Sequence, residues 1–169
     1  MPKALRIAGR VVSGIVTVLL LLVLLLNLYR IAAEKVFRVQ NPTVFGFSSA
    51  VVLTGSMSGA IEPDDWILTR SQDGYAVGDI IMYRSTGSTV THRIIALESG
   101  GYRTKGDANN TADQGKAITQ AQIVGKVVAV VPGAGAALRF LRSPLGMLLL
   151  LAVGLGLYFL PRLIRKETN

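Results

Sequence analysis

The sequence predicts a mainly β fold, an antiparallel β domain flanked by one N-terminal and one C-terminal transmembrane helix. Half of the 169 residues are hydrophobic and only 17% are charged, which is too apolar for an ordinary soluble domain. Two long apolar runs lie near the two ends, and short β-type runs separated by turn residues lie between them. The chain has no cysteine and one histidine. This excludes a disulfide framework and a thiolate nucleophile and argues against a structural zinc site.

The excess positive charge lies at the ends of the chain. The net charge is +8, yet residues 41–137 carry seven basic and eight acidic side chains. The remaining residues carry eleven basic and two acidic side chains. A nucleic-acid-binding domain carries its basic residues on the folded face, so we expect no nucleic acid as a partner. Basic residues beside apolar segments instead influence membrane topology.

The first apolar run, residues 11–29, contains no charged side chain. As a helix it is about 28 Å long, close to the thickness of the hydrocarbon core of a bilayer. A cleaved signal peptide is the alternative, but its apolar part has about 7–15 residues and ends at small residues. This run ends in Asn27, Leu28, Tyr29 and Arg30. We therefore expect a retained transmembrane helix over 11–29, preceded by a cytoplasmic tail over 1–10.

The second apolar run, residues 145–160, is short for a span at about 24 Å. Extension back over residues 138–141 predicts a transmembrane helix over 138–160, with Arg139 reaching the interface. A buried hairpin or an interfacial helix is the alternative. Two spans place the tails, 1–10 and 161–169, on one side of the membrane and residues 30–137 on the other. The flanking charges are nearly balanced, and we favour cytoplasmic tails, hence a multi-pass protein of the cell membrane with an extracytoplasmic domain.

The segment between the spans predicts an antiparallel all-β domain. Six short runs rich in β-forming residues alternate with turns that contain glycine. We expect strands at residues 44–53, 66–69, 80–83, 90–96, 102–104 and 123–131. Several apolar side chains of the first run precede a Gly-Ser turn, and this run is also a candidate for contact with the bilayer surface.

Two residues of this domain are candidates for acid–base and nucleophilic chemistry. His92 is the only side chain whose ordinary pKa lies near neutrality, although a single histidine is often a structural residue. Ser56 follows a buried-type strand in a Gly-Ser turn, where a hydroxyl and free backbone N–H groups are exposed together. A turn serine that caps its own backbone is the alternative.

A polar loop supplies two carboxylates, Asp107 and Asp113. Either of them could orient His92 and stabilise its charged form, the third role in a hydrolytic triad. A solvated turn rich in Asp and Asn is the alternative. The loop lacks the alternating carboxylates and terminal glutamate of an EF-hand, so no metal is expected.

Five motifs in order resemble the type I signal peptidase family, in its endoplasmic-reticulum-like branch that is also found in archaea and Gram-positive bacteria. They are V-V-L-T-G-S-M at 51–57, V-G-D-I-I-M-Y-R at 77–84, T-H-R-I-I at 91–95, R-T-K-G-D-A-N-N-T-A-D at 103–113 and I-V-G-K-V-V at 123–128. The resemblance implies that Ser56 is the nucleophile and that His92 stands where the bacterial housekeeping members have a lysine base. Asp113 is then our preferred partner of His92 over Asp107, and Thr54 helps the N–H of Ser56 bind the oxyanion.

This chain departs from the family pattern after the nucleophile. Glu62 and Pro63 resemble the family's E-P pair, but they follow an inserted stretch at 58–61. Asp64 then stands where many relatives have glycine. We expect these differences to alter a turn rather than the chemistry.

The resemblance therefore implies a membrane-bound serine endopeptidase, a hydrolase that removes signal peptides in protein secretion. Its partners would be preproteins with small residues at −1 and −3 of the cleavage site, the lipid bilayer and, as a candidate, the secretion machinery, with no cofactor. A serine–lysine dyad with Lys105 as base is the alternative within the enzyme class. A histidine base predicts activity that rises through about pH 6–7, whereas a lysine base requires more alkaline conditions. From another class, the chain could be a non-catalytic membrane-anchored β-domain that binds exported subunits.

Overall fold

The computed structural model describes residues 3–36 and 42–166. The chain divides into two compact units, one made of its two ends, Met1–Phe37 with Ala137–Asn169, and one made of Arg38–Ala136. Parts of the two predicted tails, residues 1–2 and 167–169, lie outside the described residues.

The second unit contains a six-stranded antiparallel sheet, as the turn-separated β-type runs predict. The order of the strands across the sheet is β1-β2-β6-β3-β4-β5. Their bounds are β1 Phe47–Val51, β2 Trp66–Arg70, β3 Ile80–Ser85, β4 Ser88–Glu98, β5 Gly101–Lys105 and β6 Ile123–Val131. Each predicted strand overlaps an observed one, so the antiparallel β prediction is confirmed. The neighbouring strands β3 and β4 carry Tyr83 and His92, two residues of the candidate site described below.

Both faces of the middle of the sheet are covered. Successive side chains of a strand point to opposite faces, and the neighbours Ile81 and Met82 in β3 are both completely buried. Met82 belongs to one apolar cluster with Met57, Ile61, Ile67 and Val124. Ile81 belongs to a second cluster with Tyr75, Tyr83, Ile94 and Ile123. The turn of Met57 and the strand of Ile94 are thereby both fixed to β3.

The first unit contains helical segments from both ends of the chain. Helix α1, Lys3–Lys35, is long and apolar enough over Val11–Ala33 to cross a membrane, a longer stretch than the predicted 11–29. At the other end, α2, Gly135–Arg142, and α3, Pro144–Lys166, meet the same criterion only as one bent pair. Ser13 of α1 donates a hydrogen bond to the carbonyl oxygen of Leu157 in α3 at 2.8 Å. The two apolar ends therefore pack together.

The C-terminal segment differs from the predicted continuous helix over 138–160, because α2 and α3 meet at an angle of 79°. Ser143 separates them, and its Oγ accepts a hydrogen bond from the N–H of Gly146 at 3.1 Å, a helix N-cap. Pro144 occupies the first position of α3, where proline is favoured because its missing N–H needs no partner there. A Cβ at Gly146 would lie 2.0 Å from the carbonyl oxygen of Phe140, so this corner requires glycine.

Candidate active site

Ser56 lies in a single 3-10 turn, Gly55–Met57, that follows β1. The side chain of Met57 is completely buried and anchors the turn in the core. The carbonyl oxygen of Ser56 accepts a hydrogen bond from the N–H of Ala108 at 3.0 Å, which ties the turn to the polar loop. The first N–H groups of a helical turn have no acceptor within it. The hydroxyl of Ser56 therefore lies beside backbone N–H groups that have no acceptor within the turn.

Residues 58–65, which follow Ser56, form a closed turn. Gly59 has a φ of +94°, which glycine adopts without strain. Its N–H donates to Oε1 of Glu62 at 2.7 Å, and the N–H of Glu62 donates to Oδ2 of Asp65 at 2.8 Å. The side chains of Glu62 and Asp65 thus hold this turn.

His92 lies in β4, paired opposite Ile81 of β3, and is only 7% exposed. Its Nδ1 lies 2.6 Å from Oδ2 of Asp113, and its Nε2 lies 3.2 Å from Oγ of Ser56. An ionised carboxylate can only accept hydrogen bonds, so Nδ1 carries the proton of the neutral ring. Nε2 then has its lone pair toward Ser56, and the hydroxyl donates to it. This tautomer is the one that a general base requires.

Asp113 is held in place by its main chain as well as its side chain. Its N–H donates to the carbonyl oxygen of Thr104 at 2.9 Å, and its own carbonyl oxygen accepts from Nη1 of Arg103 at 3.0 Å. Partial burial opposes ionisation of the carboxyl group. Hydrogen bonds from Thr104 and His92, the charge of His92 and a hydrogen bond from Tyr83 outweigh this effect and hold the pKa of Asp113 below its usual range. Asp113 is therefore an anion at neutral pH.

Asp107, the other candidate carboxylate, binds a different residue. Its Oδ1 and Oδ2 lie 2.9 Å and 2.6 Å from Nε and Nη2 of Arg93, a two-point ion pair. The hydrogen bonds from Arg93 lower the pKa of Asp107, and those to Asp107 raise the pKa of Arg93. Arg93 also donates to the carbonyl oxygen of Gly78 at 2.9 Å. The structure therefore places Asp113 at His92 and assigns Asp107 to the bracing of the loop.

The two remaining candidates occupy different surroundings. The hydroxyl of Thr54 lies 3.5 Å from Oγ of Ser56, at the long end of hydrogen-bond distance. Lys105 pairs with Arg93 in the ladder between β4 and β5. Because side chains alternate along a strand, it points to the face of the sheet opposite to that of its neighbour Thr104, which contacts Asp113. Lys105 is also not among the residues that line the cleft at Ser56.

Ser56 and His92 lie in a cleft with a volume of about 620 Å³. Residues 50–54 and 88–92 line it, together with the apolar side chains of Met57, Ile67 and Met82. This volume and lining are typical of sites that bind a small ligand or a short segment of peptide.

Sequence reasoning missed several residues that hold the site together. They are the donors Tyr83 and Thr104, which contact Asp113, and the arginines Arg93 and Arg103. Alternation along the strands could have placed Tyr83 and Ile81 on one face, but only the register of β3 against β4 places them beside His92. The path of the polar loop was not readable from its sequence.

The fold and site together define a small β domain in which a serine hydroxyl, an imidazole and a carboxylate form one hydrogen-bonded chain. No protein-family model matches the chain. No curated protein matches it. What the arrangement can do chemically is to activate a hydroxyl by general-base catalysis for attack on a carbonyl group.

Proposed function

We propose that this protein is a membrane-bound serine endopeptidase that removes signal peptides from exported preproteins, as its resemblance to type I signal peptidases implies. The observation that carries the proposal is the chain of contacts from Ser56 to Asp113. Oγ of Ser56 lies 3.2 Å from Nε2 of His92, and Nδ1 of the same ring lies 2.6 Å from Asp113. Three residues that are distant in sequence thus adopt the geometry of a hydrolytic triad.

In this mechanism Oγ of Ser56 forms a bond with the scissile carbonyl carbon while Nε2 of His92 takes the hydroxyl proton. The C–N bond then breaks, and the departing amine receives that proton from His92. Water attacks the resulting ester with His92 again as base, and Ser56 is released with its proton restored. Asp113 stabilises the imidazolium ion that forms in both steps, because it remains ionised beside Nδ1.

The negative charge on the carbonyl oxygen requires hydrogen-bond donors near Ser56. The N–H of Ser56 is at the start of a 3-10 turn and has no acceptor within that turn. The hydroxyl of Thr54, 3.5 Å from Oγ, is the second donor in this proposal. The apolar cleft beside Ser56 accommodates the residues before the cleavage site, with small side chains at −1 and −3.

The helices support anchoring in the cell membrane. α1 is able to cross a bilayer over Val11–Ala33, and in our proposal the bent pair of α2 and α3 forms a second, broken span with both tails in the cytoplasm. In the β domain, Phe45 is 97% exposed and Leu53 is 79% exposed. Both residues flank β1, and the proposal places this segment at the bilayer surface. Anchoring would raise the local concentration of enzyme at the signal peptide.

The proposal is tested with the full chain in detergent micelles and a preprotein reporter that has alanine at −1 and −3. Ser56→Ala removes the nucleophile and His92→Ala removes the base, so each should lower the cleavage rate by at least about 10³-fold. Ser58→Ala, a change of the same kind two residues away, and Lys105→Met should each retain most of the activity. The measurement is the initial rate of appearance of the mature reporter.

Each alternative predicts a different pattern in this assay. Cleavage that survives His92→Ala but is lost in Lys105→Met would establish a serine–lysine dyad and contradict the triad. Binding of the reporter without cleavage, equal in wild type and Ser56→Ala, would identify a non-catalytic binding domain. A mass increase after treatment with a fluorophosphonate, present in wild type and absent in Ser56→Ala, would show directly that Ser56 is activated.

A further inference from the structure

Three hydrogen-bond donors converge on one oxygen atom, Oδ2 of Asp113. Nδ1 of His92 and Oγ1 of Thr104 each lie 2.6 Å from it, and the hydroxyl oxygen of Tyr83 lies 3.0 Å from it. Hydrogen bonds to an ionised acceptor are shorter and stronger than those between neutral groups. The two hydroxyls therefore bear directly on the contact between Asp113 and His92.

The ring of Tyr83 lies in an apolar setting, and its hydroxyl reaches the polar groups of the site. Tyr83 is 4% exposed and packs in the cluster that contains Ile81, Ile94 and Ile123. A phenylalanine would fill nearly the same space, whereas a buried hydroxyl must find a hydrogen-bond partner. The partners here are Asp113 and the hydroxyl of Thr104, whose oxygen is 3.4 Å from that of Tyr83. Among the described residues, the hydroxyl of this core residue contacts groups of the candidate active site.

Both hydroxyls remain donors through the neutral pH range. Burial, with the negative charge of Asp113, raises the pKa of Tyr83 to about 12 despite the hydrogen bond from Thr104. Thr104 is 1% exposed, and its hydroxyl has no titration in this range. Asp113 therefore retains its two additional donors whether His92 is neutral or charged.

We propose that Tyr83, together with Thr104, is a positioning residue that holds the Asp113 carboxylate as an anion against Nδ1 of His92. By accepting two further hydrogen bonds, Oδ2 becomes less basic and the proton stays on the imidazole ring. Nε2 then remains the acceptor for the hydroxyl of Ser56. Only the catalytic consequence depends on the proposed function, since the hydrogen bonds themselves act on His92 in any case.

The proposal predicts the direction in which the titration of His92 changes. Removal of one donor leaves a carboxylate that interacts more strongly with Nδ1–H and so stabilises the imidazolium ion. His92 then loses its proton at a higher pH. The substitutions below leave the other polar, titratable or charged groups around His92 and Asp113 in place. These groups are Ser56, Tyr102, Arg93, Arg103, Asp107 and Lys116.

The experiment uses the fact that His92 is the only histidine of the chain. The full protein, purified without a histidine tag and isotopically labelled, gives one imidazole resonance whose chemical shift is followed against pH by NMR in detergent micelles. In Tyr83→Phe we expect the titration midpoint to rise by about 0.5–1 pH unit. Thr104→Val, which removes the second hydroxyl at nearly constant volume, should shift the midpoint in the same direction.

Tyr75→Phe is the matched control. Tyr75 is buried in the same cluster, but its hydroxyl accepts a hydrogen bond from the N–H of Gln72 at 3.1 Å. Its loss should leave the titration of His92 unchanged. An unchanged midpoint in Tyr83→Phe, or an equal shift in Tyr75→Phe, would overturn the assignment of Tyr83. If Tyr83→Phe does not fold, Thr104→Val decides between the same two outcomes.

Activity provides a separate result. In the reporter assay, the acid limb of the pH–rate profile of Tyr83→Phe should move upward with the NMR midpoint, and the plateau rate should fall by less than about tenfold. If wild type does not cleave the reporter while the NMR shift is observed, the proposed function fails and the positioning role of Tyr83 stands. If wild type cleaves the reporter but the NMR midpoint does not shift in Tyr83→Phe, the proposed function stands and the positioning role of Tyr83 fails.

Discussion

At the scale of single residues, the two carboxylates of the loop between β5 and β6, six positions apart in sequence, bind different partners. Asp113 contacts His92, whereas Asp107 forms a two-point ion pair with Arg93, the residue that follows His92. A second arginine, Arg103, forms an ion pair with Glu98, in which Nε and Nη2 lie 2.7 Å and 2.8 Å from Oε1 and Oε2. Its Nη1 donates to the carbonyl oxygen of Asp113. The loop is thus braced by arginines on both sides of the carboxylate that faces the imidazole.

Substitution of the two aspartates should therefore give unequal effects. Asp113→Asn replaces an acceptor by an amide that can donate to Nδ1, so the ring adopts the wrong tautomer and Nε2 no longer accepts the serine proton. We expect kcat to fall by about 10²–10⁴-fold with little change in KM. Asp107→Asn weakens only the ion pair with Arg93 and should lower kcat by less than about tenfold. Steady-state cleavage of the reporter measures both, and equal losses would contradict the assignment of Asp113.

At the scale of secondary structure, prediction succeeded where local pattern decides the outcome. β6 has the predicted bounds, 123–131, because its run of β-branched residues is closed by turns at both ends. β4, Ser88–Glu98, is longer than the predicted 90–96, because its pairing with β3 and β5 extends the strand beyond its apolar residues. The corner at Ser143 was not predicted, because the hydropathy of the whole segment is high and one Ser-Pro pair changes it little.

Pairing between distant segments limited how much of the candidate site could be predicted from the sequence. Ser56 and His92 were singled out as candidates because a Gly-Ser turn and a single histidine are visible in the sequence. The choice between Asp107 and Asp113 depends on the path of a loop, and the contacts of Tyr83 depend on strand register. Both are set by pairing between distant segments, which a single sequence does not display.

An ion pair between strands predicts how the sheet responds to acid. Lys126 in β6 binds Asp79, which immediately precedes β3. Partial burial opposes ionisation of Asp79, but the hydrogen bond and charge of Lys126 and the N–H of Ala76 hold the pKa of Asp79 below its usual range. A lowered carboxyl pKa contributes stability above the ordinary value of about 4 and loses it as pH falls through the folded value.

Asp79→Asn should accordingly lower the free energy of unfolding by about 0.5–1 kcal/mol at pH 7, because the pair is partly exposed. The difference from wild type should shrink as the pH falls through the lowered pKa of Asp79, since wild type then also carries a neutral carboxyl group. Trp66 in β2 is the only tryptophan, so its fluorescence reports unfolding of the sheet in urea. Asp73→Asn, in an exposed turn, is the control; a deficit in Asp79→Asn that persists in acid would contradict the ion-pair explanation.

At the scale of the whole molecule, the β domain and the apolar ends of the chain differ in charge. The β domain is nearly neutral and carries the candidate active site, whereas the apolar ends carry the excess of basic residues. Basic residues at the ends of membrane-spanning helices influence their orientation in the membrane. In the proposed function, the sheet and its site act on a substrate on one side of the membrane, and the helices determine which side that is.

The absence of cysteine from the sequence makes this topology directly testable. Ser99→Cys places a single thiol in the exposed turn between β4 and β5, and Thr168→Cys places one near the C-terminus, outside the described residues. If α1 and the bent pair of α2 and α3 each cross the membrane, a membrane-impermeant maleimide should label Ser99→Cys in intact cells. It should label Thr168→Cys only after the membrane is permeabilised. Labelling of both thiols in intact cells would show that the second segment does not cross. Labelling of Thr168→Cys alone would reverse the orientation and place the candidate active site in the cytoplasm, where no signal peptide is removed from a translocated preprotein.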